Sequence, residues 1–191
     1  MDLLIITTIL ISITNIFSVW FAAKNDRSTW SIGFFAAAAT AIIFYMNQHF
    51  LSFAFNTYSA IICVIGFFKW SKSVEENDAN IKFCEKPFIY HGLALTIFFV
   101  LAMVNIHISQ DSLLDAAGTS LSIVAAYLLV KHDIMAWIMY IISDLIYIVL
   151  GILSNNFEYI IIYSILLIIA IYGTYQYIVK YKNNLKCTTE H

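Results

Sequence analysis

Residues 107 positions apart match without a gap over most of this 191-residue chain. Lys24 falls on Lys131, Asp26 on Asp133, Trp30 on Trp137, Phe50 on Phe157 and Gly66 on Gly173, with Ile16 on Ile123 and Trp20 on Tyr127 upstream. The chain is therefore a duplicated unit, and each copy must fold as one supersecondary module. Apolar residues make up 61% of the sequence and charged residues 12%, where a soluble domain has about a quarter charged, so the modules are built for lipid. A mean hydropathy of +0.82 agrees.

Seven stretches are long enough for helices that cross a hydrocarbon core: 3–23, 30–47, 50–69, 87–106, 114–130, 134–153 and 158–179. Each copy holds three of them and one spare lies between, so the copies have the same orientation in the membrane. Parallel repeats of this kind commonly enclose a substrate path, which points towards transport. The expected fold is an all-α membrane protein of seven transmembrane helices in a 3+1+3 parallel-repeat, SWEET-like arrangement. Its parts are a first repeat at 1–70, a polar linker at 71–86, a linking helix at 87–109, a second repeat at 110–179 and a tail at 180–191. Asp2 stands where a signal peptide would carry a basic residue, so the opening segment reads as the first span.

The ten Lys and Arg residues all fall on one side of this scheme: the first, third and fifth loops and the tail. By the positive-inside rule the N-terminus is outside and the C-terminus cytoplasmic. Cys84 and Cys187 then face a reducing compartment and Cys63 lies within the third span, so no disulfide is expected. Pro87 opens the fourth span, where a missing N–H costs nothing. Gly66 and Gly173 mark places where helices can approach closely, with a hinge as the other reading.

Polar residues at bilayer depth are costly and normally face the protein interior. Asp144, in the middle of the sixth span, is the one carboxylate placed that deep. Trp137 and Tyr140 precede it by seven and four residues, giving one helix face with two aromatic rings and a carboxylate. Such a face suits a flat ring that carries positive charge. The plainer alternative makes Trp137 an interfacial anchor and Asp144 a hydrogen-bond partner between helices. In the first copy Gly33, Ala36 and Ala37 stand where the second has Tyr140, Ser143 and Asp144, so one half offers chemistry and the other room. Asn56 and Cys63 correspond to Tyr163 and Ala170, which makes Asn56, Cys63 and Tyr163 candidate walls of a site, or simple ties between helices. Asp115 and Glu158 begin helices, where a carboxylate favours the helix dipole.

The five histidines are scattered, with no ligand spacing for a metal. Phosphate loops, nucleophile elbows, zinc-protease motifs and basic nucleic-acid tracts are lacking, so no catalytic residue, metal or cofactor is expected and the chain does not read as an enzyme.

Three segments carry a family resemblance: Gln48 to Trp70, Asp115 with Leu121-Ser122-Ile123-Val124-Ala125, and Trp137 through Glu158-Tyr159 to Gly173. They resemble the PnuC-type nicotinamide riboside transporters, whose sixth helix reads W-x-x-W-x-x-x-N where this chain has Trp137, Tyr140 and Asp144. The resemblance implies the 3+1+3 architecture, a homotrimer in the bacterial inner membrane, and facilitated diffusion of an unphosphorylated vitamin precursor that a cytoplasmic kinase then traps. Relatives in that family carry thiamine, riboflavin or deoxyribonucleosides. A carboxylate in place of Asn favours a cation, so thiamine is preferred slightly over nicotinamide riboside. A proton-coupled carrier that uses Asp144 as relay, and a membrane binding protein without transport, are the alternatives.

Overall fold

The structure, a computed structural model, describes residues 3–46, 50–75, 81, 89–90, 92–93, 95–97, 100–101 and 113–189, without the side chains at 3–8, 50–52, 73–75 and 184–189. The elements are α1 (Leu3–Ala23), α2 (Ser28–Met46), α3 (Phe50–Glu75), the described helical residues between 89 and 101, here α4, then α5 (Leu113–Val130), α6 (Met135–Leu153) and α7 (Phe157–Thr189). Five of the described helices are long and apolar enough to cross a membrane, and residues 9–23 of α1 form a shorter apolar stretch. Pro87 and the part of the linker after residue 75, apart from Ile81, lie outside the described residues.

Two helices outrun the spans read from sequence. α3 continues to Glu75 and α7 to Thr189, beyond the expected ends at 69 and 179. Hydropathy marks where the lipid ends, whereas a helix ends where a breaker stops it. Neither Ser71–Glu75 nor Lys180–Thr189 contains Gly or Pro, so the backbone ladder runs on into the polar segment.

The chain divides into two compact units, Met1–Ala79 and Asn80–His191. In the first, α2 packs against both α1 and α3; in the second, α6 packs against both α5 and α7. The turns within each unit explain part of the duplication. After α1, the N–H of Asn25 bonds to Ala22 O at 2.9 Å and that of Asp26 to Phe21 O at 3.0 Å. After α5, His132 and Asp133 make the same pair of bonds to Leu129 and Leu128, at 3.0 and 3.1 Å. Both are Schellman closures, which need one residue in the left-handed region. Asn25 (φ 59°) and His132 (φ 57°) take it, Asn and His being among the non-glycine residues that tolerate this backbone.

The aspartates that follow start the next helices. Asp26 Oδ1 accepts from the Ser28 N–H at 2.8 Å and Asp133 Oδ1 from the Met135 N–H at 2.9 Å. The repeated Lys-x-Asp is thus a stop and a start in three residues. Its lysine lies over an aromatic ring of the preceding helix: Lys24 Nζ is 4.8 Å from the Trp20 ring centre and Lys131 Nζ 4.4 Å from that of Tyr127. Hydrogen bonding to Tyr127 pushes the Lys131 ammonium above its ordinary range, so it keeps its charge.

A second duplicated feature fixes the angle between α2 and α3 and between α6 and α7. Trp30 lies flat against Gly66, where an added Cβ would come within 2.4 Å of the indole, and meets Trp70 edge-on at 5.2 Å. Trp137 lies against Gly173, where the same atom would come within 2.7 Å, and meets Tyr177 edge-on at 5.6 Å. Both glycines therefore have the close-packing role. The two units differ in how the first pair of helices is tied. Ser18 Oγ donates to Thr29 O and Thr29 Oγ1 donates to Ser18 O, both at 2.8 Å. The corresponding residues of the second unit are Ala125 and Ala136, each fully buried.

Candidate functional site

The polar chemistry of the second unit gathers on one stripe of α6. Trp137, Tyr140, Asp144, Tyr147 and Gly151 follow at helical spacing, and all but Tyr140 are buried. Trp137 has no exposed surface, because Gly173 and Tyr177 enclose its ring. Tyr140 is half-buried, and its ring centre is 6.2 Å from that of Trp137 at an interplanar angle of 57°. Trp137 thus forms the packed base on which Tyr140 rests.

Asp144 is 6% exposed, and its carboxylate accepts no hydrogen bond among the described residues. This separates it from the other described aspartates of the unit: Asp133 caps α6, and Asp115 sits in the first turn of α5 beside the Tyr147 hydroxyl. Tyr163 of α7 is within electrostatic range of Asp144. Of the residues singled out in the sequence, the structure brings Trp137, Tyr140, Asp144 and Tyr163 into one neighbourhood of the second unit. Asn56 and Cys63 belong to the first unit, both half-buried on α3. The Cys63 Sγ is a free thiol beside Gly33, 3.1 Å from where a Cβ would be.

The sequence points to Ser143 beside Tyr140 and Asp144, but not to the partners that hold this stripe in place. Ser143 Oγ donates to Gly118 O at 2.9 Å and shares a hydrogen bond of 2.8 Å with Ser122 Oγ, which pins α6 to α5 beside Asp144. Tyr147 stacks on Tyr163 at 4.4 Å and 16°, and its hydroxyl pairs with Thr119 Oγ1 at 2.8 Å. One signal for Tyr147 was available, its position three residues past Asp144 on the same face. For Thr119 and Ser122 there was none, since a hydroxyl in an apolar helix bonds its own backbone equally well. Thr40, Thr57 and Thr174 do that in this protein.

Residues 5–178 match the family of nicotinamide mononucleotide transporters, nine-tenths of the chain. The chain belongs to that family. It is a multi-pass membrane protein, and the PnuC-type resemblance of its sequence is thereby established. The fold is also that of a solved structure, the vitamin B3 transporter PnuC, at a TM-score of 0.73 and 18% identity, over 91% of this chain and 80% of the other.

Proposed function

We propose that this member of the nicotinamide mononucleotide transporter family carries an unphosphorylated, cationic B-vitamin precursor by facilitated diffusion, with thiamine ahead of nicotinamide riboside. The observation that supports this most is Asp144: a buried carboxylate in an apolar helix, without a hydrogen bond among the described residues, beside Tyr140 and Tyr163. An isolated buried charge is costly, and a cation that enters beside it relieves that cost. Aromatic rings next to the carboxylate add attraction for a flat cation. A phosphorylated ligand is disfavoured by the same residues, since α5, α6 and residues 157–179 of α7 contain no Lys or Arg to meet a phosphate.

In this reading Tyr140, Asp144 and Tyr163 contact the ligand and Trp137 supports Tyr140. The protein works as a 3+1+3 homotrimer in the bacterial inner membrane, with the N-terminus outside, and a cytoplasmic kinase traps what it admits. Titration of purified protein with thiamine, nicotinamide riboside and riboflavin tests the ligand class. Thiamine is expected to bind most tightly, and tighter binding of neutral riboflavin would overturn the cationic reading. In liposomes the vitamin should equilibrate and stop; accumulation driven by an imposed pH gradient would replace the facilitator by a proton-coupled carrier.

A further inference from the structure

Tyr147 lies one turn beyond Asp144 on the same stripe of α6, and its ring is held from three sides. Against the ring lies Gly118 of α5, where an added Cβ would come within 2.8 Å of it. Tyr163 is stacked on the ring, nearly parallel to it at 4.4 Å. At the tip, the hydroxyl pairs with Thr119 Oγ1 at 2.8 Å. Tyr163 in turn has Tyr159 edge-on at 5.6 Å, so its own freedom is set by the Tyr147 stack on one side and Tyr159 on another. The first repeat has nothing comparable. Thr40 takes the place of Tyr147 there, and its hydroxyl donates to Ala36 O of its own helix at 2.8 Å. The tyrosine thus occurs in the repeat that carries Asp144.

We infer that Tyr147, held by Thr119 and seated on Gly118, is a positioning residue for ligand recognition, which fixes the ring of Tyr163 as the aromatic wall beside the Asp144 carboxylate. This rests on the proposed cationic ligand. A flat cation gains from an aromatic wall only when the ring is held at the right distance and tilt, and a stack locked at its hydroxyl supplies that preorganisation. The ligand class is therefore a planar cationic ring.

Calorimetric titration of the purified full chain with thiamine and with nicotinamide riboside tests the inference. Tyr147→Phe keeps the stack and removes the hydroxyl; Thr119→Val removes the partner and keeps the size. Each is expected to weaken thiamine binding by about three- to ten-fold, and the double variant by no more than Tyr147→Phe alone, since that change already removes the bond to Thr119 together with the contact of the hydroxyl to Asp115. In an Asp144→Asn background the Tyr147→Phe change should cost less than about two-fold, because the carboxylate that draws the cation against the wall is then gone. A merely structural tyrosine would lower the melting temperature and leave affinity unchanged, or reduce affinity equally with and without Asp144; either result overturns the inference. Wild-type protein that binds neither vitamin removes the cationic reading and this inference together. Wild-type binding with both single variants at full affinity overturns the inference alone.

Discussion

At position 144 the second repeat places a carboxylate where the first has Ala37, and the described residues around it provide no hydrogen bond for it. Asp144→Asn preserves size and an acceptor while it removes the charge, so the protein should fold and lose affinity for thiamine by about ten- to a hundred-fold, the cost of a charge-assisted bond in a desolvated site. Nicotinamide riboside binding should survive the change better, because Asn is the residue its carriers have at that place. Unchanged calorimetric affinity for both ligands would mean that Asp144 lies off the binding path. The tryptophans invite a different comparison, since Trp30 and Trp137 are enclosed in the same way, at 4% and 0% exposure. What distinguishes them lies beside them, Tyr140 against Gly33. The glycines under both indoles are the sensitive points. Gly66→Ala and Gly173→Ala each force a methyl into the indole ring, and each is expected to destabilise by about 1–3 kcal/mol. Thermal unfolding in detergent measures this, and an unshifted midpoint would show that the helices can separate at no cost.

Among the elements, the three-residue turns after α1 and α5 are as informative as the helices. Asp26→Ala and Asp133→Ala each remove a helix cap and should cost about 0.5–2 kcal/mol in the same unfolding assay. Asp133 is 6% exposed and Asp26 is exposed, so the loss at 133 should be the larger, as water cannot replace the buried acceptor. Equal small losses at both would assign the α6 start to packing alone. The sequence marked these aspartates only as repeated letters. Their meaning lay in backbone hydrogen bonds to Phe21 and Leu128, which no residue pattern displays. The helices α3 and α7 run past the spans read from the sequence for a related reason, because an apolar run reports lipid contact and says nothing of where the backbone ladder stops.

For the whole molecule, the expected orientation follows from ten basic residues confined to one side. A tag at the C-terminus should be inaccessible from outside intact cells, and one at His49 should be reachable. An external C-terminus would mean that the topology is inverted or that the number of spans differs. The order of residues alone determined that this is a lipid-embedded, all-helical chain with an internal duplication, because hydropathy and a fixed offset are one-dimensional properties. It also marked Asp144, since a carboxylate in a run of apolar residues stands out whatever the helix packs against. Only the tertiary structure decided which side chains support that carboxylate. Thr119 and Tyr147 are 28 residues apart and meet because α5 and α6 come together closely over Gly118. Tyr163 reaches the same point through the angle at which Trp137 and Gly173 set α7 against α6. Contacts of this kind depend on the rotation and crossing of neighbouring helices, which are fixed by interlocking surfaces and are invisible to a pattern read along one helix at a time.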